Sequence, residues 1–149
     1  MNRIMTPVFL VIGLTMWVVT TMAQDNVGIS AAGLDAWLAA YERAWEEKDP
    51  EAAGKLFASN GRYFETPYSE PFEGPAGVGD YWGRVTADQR DIDFQYSIIA
   101  VEGNTGVASW SARFMTVSSD ANVELNGVFV LQFDDSRRCV LLREWWHAR

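Results

Sequence analysis

One cysteine and one histidine in 149 residues exclude several classes of chemistry. Cys139 has no partner for an internal disulfide, so stability must come from packing, and its strand-like apolar neighbours mark it as a buried, inert thiol. His147 stands two residues from the end, and no second His or Cys exists to complete a zinc cluster or a Ser-His or Cys-His nucleophile pair. Glycines at 74, 77, 79 and 83 open a helical stretch, but no strand-GxGxxG and no GxxxxGK[ST] accompanies them, which argues against phosphate and dinucleotide binding. Nothing resembles a calcium loop. No metal and no cofactor is therefore expected. Positive charge is also scarce: 12 Lys and Arg face 20 Asp and Glu, for a formal charge of -8. Such a surface repels phosphate backbones, so nucleic acid is not an expected partner, nor is an anionic membrane surface.

What the chain does have begins with a targeting pattern. Arg3, an apolar run from Ile4 to Val19 and a small-x-small exit at Thr21-Met22-Ala23 describe a secretory signal peptide cut after Ala23. The alternative is an uncleaved anchor, for which the run is short. Residues 1–23 are thus read as a signal, 24–33 as a loose leader and 34–149 as one domain. The expected location is secreted or periplasmic, with no stable membrane anchor after processing.

Leu34, Trp37, Leu38, Tyr41 and Trp45 recur at spacings of three and four and predict an amphipathic helix. Asp49-Pro50-Glu51 carries an N-cap, a proline at the first helical position and an acid in the first turn, predicting a second helix of about two turns, to Ala58. A short strand follows from Arg62 to Thr66, and Val78, Tyr81, Trp82 and Val85 predict a third helix from Pro75 to about Ala87. From Asp91 the period becomes two. Runs at 91–102, 106–118, 122–134 and 138–147, separated at hairpin lengths, predict an antiparallel meander. The pattern predicts an α+β fold with its helices on one face of a curved sheet. Val107, Val128 and Val130 alternate with residues such as Trp110 and Phe129, so both sheet faces carry apolar side chains; a sheet-to-sheet homodimer is expected to cover the second.

The order of these parts between Tyr41 and Gly74, Y-E-R-A-W-E-E-K-D-P through Y-F-E-T-P-Y-S-E-P-F-E-G, resembles the entry to the nuclear transport factor 2-like superfamily, SnoaL-like branch. Further matching features are E-x-P-x-x-x-P-x-x-G (Glu65, Pro67, Pro71, Gly74), Trp110, E-L-x-G-x-F (Glu124, Leu125, Gly127, Phe129) and R-E-W-W (Arg143 to Trp146); together they span about residues 34–147. The resemblance implies a cone-shaped fold, helices packed on a strongly curved antiparallel sheet around a pocket for a small hydrophobic or amphipathic molecule. Against ketosteroid isomerases of the same fold, Tyr41 falls on the hydrogen-bonding tyrosine, Thr66 on the aspartate base and Phe129 near the protonated aspartate. The donor is kept and both carboxyl groups are lost, so steroid isomerisation is not implied. Asn126, where a related pattern often has an acid, is a further departure.

The candidate site is acidic and aromatic. Glu65, Glu124 and Glu144 stand in strand-like runs beside apolar neighbours; one turned into an apolar cone would have a raised pKa and serve as general acid or base. Outward-facing alternatives would pair with Arg62, Arg113 or Arg143. Tyr41 is the candidate donor, and Trp45, Tyr63, Trp82, Tyr96, Trp110, Phe114 and Phe129 are candidate ligand contacts, because Tyr and Trp join an apolar body to a polar handle. Three functions stay open on these residues: binding without reaction, cofactor-free dehydration, isomerisation or cyclisation, and an interaction module whose cavity its own aromatics fill.

Overall fold

The computed structural model describes residues 28–149, so the expected signal segment and the first part of the leader lie outside the described residues. The first helix, α1 (Ala31–Glu46), starts within the stretch read as leader, because Ser30 accepts a hydrogen bond from the Gly33 amide at 3.0 Å and so satisfies one of its open N–H groups. It buries Leu34, Trp37, Leu38, Tyr41 and Trp45. Asp49 caps α2 (Pro50–Lys55) in the same way, accepting from the Ala52 amide at 2.9 Å. That helix stops short of the expected Ala58. The Leu56 carbonyl accepts instead from Trp37 Nε1 at 3.2 Å and from the Cys139 amide at 3.0 Å, which draws Phe57 into a strand.

Strand β1 (Phe57–Phe64) is followed by the short β2 (Phe72–Glu73), α3 (Gly74–Ala87) and four long strands, β3 (Gln89–Glu102), β4 (Thr105–Thr116), β5 (Asn122–Phe133) and β6 (Cys139–Ala148). Gly74 opens α3 at φ +63°, and a Cβ there would lie 2.9 Å from the Ser59 carbonyl oxygen, so this position needs glycine on both counts. The six strands form one sheet in the order β2-β1-β6-β5-β4-β3. The sheet is mixed and not wholly antiparallel: β6 lies parallel to β1, with Tyr63 beside Leu142. The reason is topological. Three hairpins after the α3 crossover return β6 in the same sense as β1.

Register breaks in β3, between Arg90 and Asp93 and between Ile98 and Ala100, bend the sheet around α1. Its inner face carries Phe94, Ala108, Trp110, Phe129, Leu131 and Leu142, each at most 3% exposed. On the outer face Val107, Val128 and Val130 are half-buried, and Ile99 and Trp145 are exposed. Among the described residues no helix is long and apolar enough to cross a membrane.

Candidate functional site

Residue parity on the inner face determines which carboxyl group enters the fold. On β6, Leu142, Glu144 and Trp146 share the inner side, and cross-strand pairing sets Glu144 directly beside Phe129 of β5. Glu144 is 4% exposed. Its Oε1 accepts a hydrogen bond from Tyr63 Oη at 2.5 Å. Loss of solvent is the largest influence on this carboxyl and the Glu65 carboxylate adds to it; the Tyr63 hydrogen bond opposes them, leaving the pKa pushed up to about 8.

Glu144 forms part of the wall of a cavity of about 260 Å³. Tyr41 and Trp45 enter it from α1, Tyr81 and Trp82 from α3, Tyr63 from β1, and Trp110 and Phe114 from β4. Ala148 and the partly exposed Val123, Leu125 and Trp146 stand on its more open side, at the ends of β5 and β6. The hydroxyls of Tyr41, Tyr63 and Tyr81 all feel Glu144, and burial followed by its charge holds each well above the usual phenol value. At neutral pH all three are uncharged.

Glu65 reaches the same cavity from just beyond β1. It keeps the inward parity of Tyr63, so it takes the side that Thr66, one residue on, would not reach. Trp146 Nε1 donates to the Glu65 carbonyl at 3.1 Å and fastens the turn that carries it. Gln89 closes the α1 side, accepting from Trp45 Nε1 at 2.8 Å and receiving Lys48 Nζ on its carbonyl at 2.8 Å.

Three sequence candidates lie elsewhere. Glu124 shares the outer parity of β5 and pairs with Arg149 at 2.5 Å, so it does not line this inner cavity. Tyr96 pairs across the strands with Trp110 but donates to Asp35 Oδ1 of α1 at 3.0 Å and does not line the cavity. Phe129 is fully buried against Tyr41 and Trp110, ring centroids 5.4 and 5.1 Å apart, and packs behind the cavity wall. The expected arginine partners also differ: Arg113 pairs with Asp93 at 2.7 Å, and Arg62 and Arg143 lie over the Phe64 ring. Tyr81 and Trp146 were missed as site residues. Trp146 could have been found from its parity with Glu144; Tyr81 sits beside Trp82 on α3, where two adjacent aromatics reach the cavity from neighbouring helical positions.

Gly127 shapes the wall from behind. It is paired across the strands with Trp110, and a Cβ on it would come within 2.8 Å of the Trp110 ring. The indole N–H groups of Trp82 and Trp110 are buried without hydrogen-bond partners. Trp82 instead meets Tyr41 and Trp45 edge-on, at 5.3 and 4.9 Å between centroids.

A larger recess, about 640 Å³, lies on the outer face among Gln95, Ser111, Glu124, Asn126 and His147. Its titratable groups are exposed and partly paired. Among the described residues no group of three or more His, Cys, Asp or Glu is placed to hold a metal ion.

The SnoaL-like domain model matches residues 37–140. The chain belongs to the SnoaL-like family. Its fold is nuclear transport factor 2-like. One solved structure similar to it is SalBIII, an epoxide hydrolase/cyclase-like enzyme of pyran ring formation in the polyether salinomycin: 18% identity, 76% of this chain and 89% of that one covered, TM-score 0.66. Another is a putative isomerase from Bacillus subtilis, at 19% identity, covering 78% and 87%, with TM-score 0.69. A third is a ketosteroid isomerase-like hypothetical protein from Catenulispora acidiphila DSM 44928 in complex with trimethylamine, at 15% identity, covering 73% and 83%, with TM-score 0.66. Comparison with curated proteins found no match.

Proposed function

We propose that this domain is a cofactor-free acid–base catalyst acting on a small, apolar-bodied molecule, with Glu144 as the group that gives and takes the proton. The observation that carries the reading is the Glu144 carboxyl, buried on the wall of the 260 Å³ cavity, hydrogen-bonded by Tyr63 at one oxygen and with its pKa pushed up to about 8. At pH 7 it is mostly protonated and acts as an acid; about one unit higher it acts as a base, so both directions lie close to neutrality. Tyr63 orients it. Tyr41 and Tyr81, held uncharged, are donors for a substrate oxygen that gains charge as the proton moves.

A passive pocket for an apolar molecule gains nothing from a buried carboxyl, which costs several kcal/mol to place there. That cost favours catalysis over simple binding. The interaction-module reading loses ground because the aromatic residues leave space. At roughly 30 Å³ per water the cavity has room for about eight to nine. It falls below the ~300 Å³ at which drug-sized sites begin, so the substrate is smaller than a steroid. Isomerase and cyclase-like names among the fold neighbours are in keeping with proton transfer.

The test uses 5-nitrobenzisoxazole, a compact probe whose ring opens to a coloured phenolate when a base removes one C–H proton. Turnover rising through about pH 8 and falling roughly 10²-fold or more in Glu144→Gln is the expected result. Equal turnover in that variant would remove Glu144 from the chemistry.

Export and self-association belong to the same proposal. The signal-like pattern in residues 1–23 supports secretion or delivery to a periplasm, and the outer-face apolar strip supports pairing of two copies.

A further inference from the structure

The cavity wall carries two carboxyl groups and no basic side chain. Glu65 and Glu144 both line it, and none of its lining residues is Lys, Arg or His. Glu144 is almost wholly buried, and the hydrogen bond it receives from Tyr63 engages Oε1. Around the carboxyls stand the rings of Tyr41, Trp45, Tyr63, Tyr81, Trp82 and Trp146, whose π-electron clouds attract positive charge. The arginines that stack on aromatic rings do so away from the cavity, over Phe64 and Phe72. The chain as a whole is negative, so cations are drawn toward it. An anionic ligand would meet two carboxyl groups. A neutral one would give no counter-charge to either carboxyl once it ionises.

We propose that the molecule taken into this cavity carries an ammonium centre, a small tertiary or quaternary amine held between Glu65 and Glu144 and wrapped by the aromatic wall. The inference rests on the reading of this cavity as the substrate site and adds the charge of the ligand to it.

The arrangement makes binding release a proton. A cation next to Glu144 favours its ionised form and reverses the effect of burial. The groups facing Glu144 are Tyr63 from β1, Glu65 beyond it, Tyr41 from α1 and Tyr81 from α3. The three phenols stay uncharged well past neutrality, so Glu144 accounts for the coupling above pH 7. A quaternary ammonium, which has no proton of its own, then binds more tightly as Glu144 ionises.

The experiment compares choline with 3,3-dimethylbutan-1-ol, the same shape with carbon in place of the charged nitrogen, by calorimetry on the purified chain. Choline affinity should rise about tenfold from pH 7 to pH 9, following a group titrating near 8, with protons released at pH 7. The alcohol should bind about tenfold or more weakly than choline at pH 9, and without pH dependence. Glu144→Gln should abolish the pH dependence of choline binding; Glu65→Gln, a second isosteric change, should weaken choline and leave a pH dependence shifted downward. Alcohol binding as tight as choline at pH 9 overturns the proposal, as does failure of choline to bind. If Glu144→Gln still removes nitrobenzisoxazole turnover in either case, only the charge assignment falls. If that variant keeps full turnover, the acid–base reading falls with it.

Discussion

Glu144 and Glu124 stand on adjacent strands, β6 and β5, the first between Arg143 and Trp145 and the second between Val123 and Leu125, yet they occupy opposite chemical worlds. Glu144 points inward, is sealed among tyrosines and holds its proton to about pH 8; Glu124 points outward and pairs with Arg149 at 2.5 Å, its side chain 31% exposed. A strand offers two faces one residue apart, and the face alone decides whether a carboxylate keeps its water. Burial of the first stores a proton. Exposure of the second leaves an ion pair of small energetic value.

The comparison breaks most sharply in activity. Glu144→Gln should cost about 10²–10⁴-fold in proton-transfer rate, and Glu124→Gln should stay within about twofold of the native rate, in parallel assays of both variants. Equal losses would mean that parity does not separate the two residues.

Stability against pH comes next. The folded pKa of Glu144 is raised from 4.5 to about 8, so the folded chain holds a proton that the unfolded chain releases between those values. Its stabilising contribution is fully present below pH 4.5 and is lost as pH rises through about 8. Relative to Glu144→Gln, the native chain should therefore lose up to about 1.4 kcal/mol per pH unit across that window. Denaturant melts of both proteins at pH 5, 6.5 and 8 measure the difference.

Gly127→Ala tests the wall behind the site. The added methyl meets the Trp110 ring and the Trp145 carbonyl oxygen, at 2.8 and 2.6 Å, and overpacking of that kind costs about 1–3 kcal/mol. A melt detects the cost, and a change in tryptophan fluorescence reports the displaced ring. Tyr63→Phe should be comparable or milder in stability, about 1–3 kcal/mol for the lost donor, but it should move the pH–rate midpoint upward, since this hydrogen bond lowers the Glu144 pKa. Smallest is the outer pair: Arg149→Ala should change stability by less than about 1 kcal/mol.

Much of this architecture was legible in the residues. The 3.6-residue spacing of α1, the Asp49-Pro50 cap and the four alternating runs after Asp91 place helices and strands within a few positions of where they lie. The parallel β1–β6 pairing was not, because hairpin spacings fix neighbours within the meander and not where its last strand docks. Glu124 could have been set aside from β5 alone, since Phe129 pointing inward forces residue 124 outward. Glu144 was harder. The run Cys139-Val140-Leu141-Leu142 is apolar throughout, so it gives β6 no readable parity, and only pairing with β5 turns Glu144 to the inside. The end of α2 depended on the Leu56 carbonyl bonding to partners 19 and 83 positions away in sequence, which no local pattern records.

The central claim is the protonation state of a single carboxyl group. Carbon-13 NMR of the chain labelled at glutamate side-chain carboxyls, with Glu144→Gln used to assign the resonance, follows that state directly. The account predicts one glutamate titrating near pH 8, lost in the variant, whereas titration of Glu144 near 4.5 would contradict it.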